Sequence, residues 1–106
     1  MIEKISERQF KELKNDFVVV DFYANWCGPC KMISPFISEI SEEIPLVAFK
    51  KIDVDENEDL ASTLNIKSIP TIIIFKYGKE IDRKIGFASK AVLKNWILDK
   101  TVYIKK

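Results

Sequence analysis

Apolar residues along this chain fall into two periods. Phe17-Val18-Val19-Val20-Asp21-Phe22-Tyr23 is a nearly continuous apolar, β-branched run interrupted only by Asp21. Such a run reads as a strand buried on both faces, as at the centre of a sheet. Met32, Ile33, Phe36, Ile37, Ile40 and Ile44 recur at helical spacing, which predicts a helix over residues 29–43. Pro35 lies inside it and is expected to kink it, because proline brings no N–H to the helical ladder. Residues 46–54 predict a second strand and residues 71–75 a third, again buried. Tyr77-Gly78-Lys79 then turns the chain into a last strand over 81–85. A capping box, Ser6-Glu7-Arg8-Gln9, opens a short first helix that carries Phe10 and Leu13 and ends near residue 15. Asn57 is expected to cap a short helix through Glu58, Asp59, Leu60 and Leu64. Ser89 caps a closing helix with Val92, Leu93, Trp96 and Ile97. The order is αβαβαββα: a βαβ unit with a right-handed crossover and a parallel pair, then a hairpin.

At 106 residues the chain is long enough for one domain with a single core. Its 47% hydrophobic and 31% charged residues are those of a globular protein. A net charge of +1 gives no ground for nucleic acid or a charged membrane surface as partner. Runs such as Ile72-Ile73-Ile74-Phe75 are far too short to span a bilayer. The first residues, Met1-Ile2-Glu3-Lys4-Ile5-Ser6, show neither an apolar signal core nor an Arg-rich presequence. Together with only two cysteines, this leads to the expectation of a cytoplasmic address. The absence of any histidine removes every Cys/His or Ser/His catalytic arrangement and most zinc sites.

Those two cysteines stand in Trp26-Cys27-Gly28-Pro29-Cys30, directly after the first buried strand. A disulfide between them closes a loop too small to constrain the unfolded chain much, so the pair is a poor staple. A close pair at a strand-to-helix junction is suited instead to switching between dithiol and disulfide. Cys27 falls at the start of the helix, where unpaired N–H groups and the positive end of the dipole favour a thiolate. Gly28 leaves the backbone beside the sulfur uncrowded, and Pro29 suits the first helical turn. Cys30 follows on the same helix face but deeper. The pattern predicts an exposed nucleophile and a shielded resolving thiol. A zinc half-site is the alternative, but zinc needs two more ligands, and no His or further Cys supplies them.

Asp21 is a carboxylate in the middle of a buried strand, where acidic residues almost never lie unless paired. Burial raises its pKa toward the range useful for proton transfer at neutral pH. The alternatives are an edge position facing solvent or a structural ion pair. Lys51 reads equally as a solvated lysine or as the partner of Asp21. Pro70, in Ser68-Ile69-Pro70-Thr71, marks a strand boundary or a cis peptide. Trp26 is a core aromatic or an exposed platform, and its loop position favours the platform.

The run Val20-Asp21-Phe22-Tyr23-Ala24-Asn25-Trp26-Cys27-Gly28-Pro29-Cys30-Lys31 resembles the active-site signature of the thioredoxin family. So do Pro35, Lys51-Ile52-Asp53-Val54-Asp55, Ile69-Pro70-Thr71 and Ile85-Gly86, and the resemblance extends over residues 10–99. It implies an α/β thioredoxin fold: a central mixed sheet of about five strands flanked by four helices, as a single domain over residues 1–106. Glu3-Lys4-Ile5 would then supply a short strand that the pattern alone does not reveal. The resemblance implies a protein-disulfide reductase in which Cys27 attacks, Cys30 resolves, and Asp21 is the buried acid serving Cys30 with Lys51 near it. It implies a cis Pro70 against the disulfide, and a groove for an extended substrate segment lined by Trp26, Gly28, Pro29, Ile69, Pro70, Gly86 and Phe87. The implied partners are disulfide-containing proteins and a thioredoxin reductase. The implied molecule is a monomer with no metal and no cofactor beyond the Cys27–Cys30 pair, serving cell redox homeostasis.

Some residues depart from the family pattern. Tyr23 stands where many members carry Trp. Phe87 is bulkier than the residue often found there, and is expected to narrow the groove. Residues 101–106 run past the usual end. No additional cysteine offers dimerisation through a thiol. Two rival classes stay open on sequence: an oxidase or isomerase of the same fold, and a binding module that uses the groove without the thiols.

Overall fold

The computed structural model describes residues 2–101. The chain forms β1 (Glu3–Lys4), α1 (Glu7–Lys11), β2 (Phe17–Tyr23), α2 (Gly28–Glu43), β3 (Ala48–Asp53), α3 (Glu58–Thr63), β4 (Thr71–Lys76), β5 (Lys79–Ile85) and α4 (Lys90–Thr101). The strands make one five-stranded sheet in the order β1-β3-β2-β4-β5. Strands β1, β3 and β2 run parallel, while β4 is antiparallel to both β2 and β5. The mixed sheet and its four flanking helices match the architecture that the resemblance implied.

Burial explains the layers. Strand β2 lies at the centre of the sheet, with Val18 through Phe22 all buried. One side chain set, Val19 with Ile72 and Ile74, packs against Ile33, Ile37 and Ile40 of α2 and Leu93 and Ile97 of α4. The alternate set, Val18, Val20, Phe22, Ile73 and Phe75, packs against Phe10 near the end of α1 and Leu60 of α3. The period of two along the strands thus meets the 3.6-residue period of the helices on both faces. Each fully buried Ile contributes about 1.5–3 kcal/mol of transfer free energy, so α2 is held on the sheet by its isoleucine stripe. It runs through Pro35 as one element, with the proline exposed to solvent.

Local signals explain several boundaries and miss others. The Ser6 capping box forms as expected: Gln9 N–H donates to Ser6 Oγ at 3.2 Å, and Ser6 N–H to Gln9 Oε1 at 2.9 Å. The helix it opens stops at Lys11, short of residue 15. Strand β3 begins at Ala48 rather than at Leu46, which is 93% exposed. Strand β5 begins at Lys79, two residues early, because the hairpin turn is tight, with Tyr77 and Gly78 both at positive φ. Asn57 does not cap α3. Its Oδ1 accepts from Glu7 N–H and its amide donates to the Asp53 carbonyl, so it ties α1 to the end of β3 instead. The tail singled out in the sequence lies outside the described residues beyond Thr101.

Candidate active site

The carboxyl ends of β2 and β3 meet the start of α2, and the cysteine pair sits at that junction. Cys27 is the N-cap of α2, and its Sγ accepts the N–H of Cys30 at 3.1 Å. One free N–H of the first turn, that of Cys30, is therefore aimed at that sulfur. Pro29 occupies the first turn without wasting a donor. Cys27 and Cys30 are joined as a disulfide, with Cα atoms 5.3 Å apart. Both are buried, at 4% and 3% exposure. This corrects the expectation of an exposed Cys27: Ala24, Tyr23, Val54 and Ile69 pack around the disulfide and cover both halves. What distinguishes the two sulfurs is their surroundings. Cys27 takes the helix amide, and Cys30 faces inward onto a cavity of about 160 Å³ shared with Asp21, Tyr23, Lys51 and Ser34.

Asp21 is 4% exposed, and its Oδ1 has no hydrogen-bond partner among the described residues. Burial pushes its carboxyl from the ordinary 3.8 up to about 7, against a weaker pull from the charge of Lys51. Lys51 stands directly opposite Asp21 in the parallel β2–β3 register. The solvent-facing edge reading of Asp21 is therefore excluded, and so is a close ion pair: none joins the two among the described residues. A carboxyl that titrates near neutrality beside a buried sulfur is equipped to exchange a proton with it.

Above the disulfide the surface opens into a groove of about 630 Å³ between Trp26, Ile69 and α3. Trp26 is 70% exposed, which excludes the core reading. The Ile69–Pro70 bond is cis. The proline loop is pinned by Thr71 Oγ1 donating to Ser68 O at 2.6 Å and by Gly86 N–H donating to Pro70 O at 2.8 Å. Gly86 sits at φ +89, a conformation that glycine adopts without strain. Of the residues expected along a substrate groove, Trp26 and Ile69 line this one. Gly28, Pro29, Pro70, Gly86 and Phe87 do not. Phe87 is half-exposed and packs toward Phe36 with ring centroids 6.0 Å apart.

A sequence profile of the thioredoxin family matches residues 1–99. The chain belongs to the thioredoxin family. It is 46% identical over 101 residues to a protein named thioredoxin from Rickettsia felis, covering 92% of this chain and 96% of that one. A thioredoxin from Chlamydia pneumoniae is 42% identical over 98 residues, with the same coverage of each chain. Among solved structures, Plasmodium falciparum thioredoxin superposes with a TM-score of 0.88 at 37% identity, over 94% of this chain and all of that one. Mitochondrial thioredoxin 3 of Saccharomyces cerevisiae in its oxidised form gives 0.84 at 40% identity, over 92% and 94% of the two chains. With the thioredoxin disulfide in place at the head of α2, the chain is a thiol-disulfide oxidoreductase acting on protein disulfides. Among the described residues no group of three acidic or cysteine side chains is arranged to hold a metal ion, and no helix is long and apolar enough to cross a membrane.

Two residues beside this site were noted in the sequence only for their resemblance to the family, without a role. Asp55 accepts the Trp26 indole N–H at 2.8 Å. Nothing in the local pattern marks it, since its partner lies 29 positions away. Tyr23 lines the Asp21 cavity and receives the Lys51 ammonium over its ring at 5.3 Å. Its alternation with Asp21 along β2 was the available signal.

Proposed function

We propose that this thioredoxin works as a reductase of protein disulfides, with Cys27 as attacking and Cys30 as resolving cysteine. In the reduced protein the Cys27 thiolate attacks one sulfur of a substrate disulfide. One S–S bond breaks, a Cys27–substrate S–S bond forms, and the other substrate sulfur leaves as a thiolate. Cys30 then gives its proton to the Asp21 carboxylate and attacks Cys27 Sγ. The Cys27–Cys30 disulfide forms and the second substrate thiolate departs. Two electrons have passed from the dithiol to the substrate, and a partner dithiol enzyme of the thioredoxin reductase kind restores the pair. The observation that carries this reading is the buried Asp21 carboxyl, its Oδ1 unpartnered among the described residues, lining the same cavity as Cys30.

Lys51 belongs to this machinery as the cation whose charge acts on Asp21. Trp26 and Ile69 offer apolar walls to an extended substrate segment, with Gly28, Pro29, Pro70, Gly86 and Phe87 forming the rim around the disulfide. The rest of the reading is a monomeric single domain over residues 1–106 with a cytoplasmic address, using the Cys27–Cys30 pair alone as its redox group. The test is insulin reduction by the Asp21→Asn variant. The rate is expected to fall several-fold at pH 7, because no acceptor remains for the Cys30 proton. An unchanged rate removes Asp21 from the reaction.

A further inference from the structure

A buried carboxyl directly across a ladder from a lysine is ordinarily expected to pair with it, and here it does not. Asp21 and Lys51 are register partners on β2 and β3. Asp21 Oδ1 nonetheless has no hydrogen-bond partner among the described residues. The Lys51 ammonium lies instead over the face of Tyr23, 5.3 Å from the ring centroid. That is within the range of a cation–π contact. Tyr23 is two residues beyond Asp21 on the same strand, so both side chains project from the same face. All three line the cavity that reaches Cys30.

We propose that Tyr23 is a positioning residue whose ring holds the Lys51 ammonium away from Asp21, so that the buried carboxylate stays basic enough to accept the Cys30 proton. This rests on the proton-acceptor role proposed above for Asp21. The choice open to Lys51 is physical. Pairing with Asp21 requires the ammonium to approach a buried carboxyl and shed part of its water. Over the ring face it gains electrostatic attraction while its outer side stays hydrated. A contact ion pair favours the carboxylate and lowers an aspartate pKa by about 1–3 units. At the distance set by the ring, the pull of Lys51 is weaker than the effect of burial, and the carboxyl stays near 7.

Other charged groups face this cluster. Lys31 of α2 lines the same cavity. The Tyr23 hydroxyl feels Lys4 of β1, Asp53 of β3 and Glu56, with Lys4 and Glu56 paired to each other at 2.9 Å. Strand β4 places only Ile72 against Asp21. None of these forms an ion pair with Asp21 among the described residues.

The experiment is a carboxyl ¹³C NMR titration of Asp21 in the oxidised protein, in which neither cysteine titrates. Tyr23→Phe keeps the ring and is expected to leave the midpoint within a few tenths of a pH unit. Tyr23→Leu frees Lys51 to close on Asp21 and is expected to lower the midpoint by about one unit or more. In a Lys51→Met background, Tyr23→Leu is expected to move the midpoint by a few tenths at most. Tyr23→Thr, a good strand former at this half-buried position, takes the place of the leucine variant if that one does not fold. A midpoint that is unchanged or raised in the ring-deleted variant overturns the proposal. So does an equal drop in the Lys51→Met background, which would mean that the ring acts by excluding water. The titration requires no turnover. Its failure leaves the reductase reading intact, and failure of wild-type insulin reduction leaves the predicted midpoints unaffected.

Discussion

Trp26 is tied to Asp55 by a hydrogen bond of 2.8 Å from the indole N–H to the carboxylate. The bond links the cysteine loop to the turn after β3 and holds an exposed aromatic at the edge of the groove. The tether is exposed, so its worth to global stability is about 1 kcal/mol or less. Its value is in preorganisation: an untethered ring must be ordered each time a protein segment docks. Asp55→Ala is therefore expected to raise KM for a protein disulfide several-fold while leaving reduction of a small aromatic disulfide unchanged. Kinetics on both substrates check this, and an equal loss on the two would contradict it.

Much of this site was legible because it is local. The cysteine spacing, Pro29 in the first turn and the Ser6–Gln9 box all depend on residues within a few positions of each other. The burial of Asp21 followed from the apolar run around it. The elements that the hydrophobic pattern did not reveal were those held by distant partners, though the resemblance placed a short strand at Glu3-Lys4-Ile5. Strand β1 is two exposed residues with no period to detect, formed because Glu3 and Lys4 find Lys50 and Lys51. Asn57 looked like a cap but is claimed by Glu7, 50 positions away. Whether Lys51 pairs with Asp21 depended on Tyr23, and the outcome of that competition is a matter of distances no pattern encodes. The exposure of Cys27 was misjudged because the closed disulfide is covered by Ile69 and Val54, which arrive from other loops.

Separating the two cysteines gives the second prediction. Cys30→Ser keeps the attacking sulfur at the head of α2 but removes the resolving one, so mixed disulfides with substrate proteins should accumulate. Cys27→Ser should trap none. Non-reducing gels after exposure to oxidised insulin read the outcome. Adducts with neither variant would favour a role for the groove that bypasses the thiols.

The third prediction follows from Asp21 and its sign is fixed by linkage. Burial raises the folded carboxyl from 3.8 to about 7. The folded protein thus holds the proton more tightly than the unfolded chain does. That contribution to stability is complete below pH 4, is lost as pH rises toward 7, and stays lost above it. Asp21→Asn carries no such penalty. In the oxidised protein its stability gain over wild type should be smallest below pH 4, grow between pH 4 and 7, and level off above. About three pH units at 1.36 kcal/mol each puts the full gain on the order of 4 kcal/mol. Urea melts across that range check it; a gain independent of pH would mean that the carboxyl does not titrate as a buried acid.

The most direct test of the account is the reduction potential of the Cys27–Cys30 pair, measured by equilibrating the protein with glutathione redox buffers and quantifying the two forms. A reductase must hold its electrons at a potential low enough to pass them to substrate disulfides. The thioredoxin family carries a value near roughly −270 mV, and this chain is predicted to fall close to it. A potential of roughly −180 mV or higher, the range of disulfide isomerases and oxidants, would contradict the assignment and make the pair a donor of disulfides.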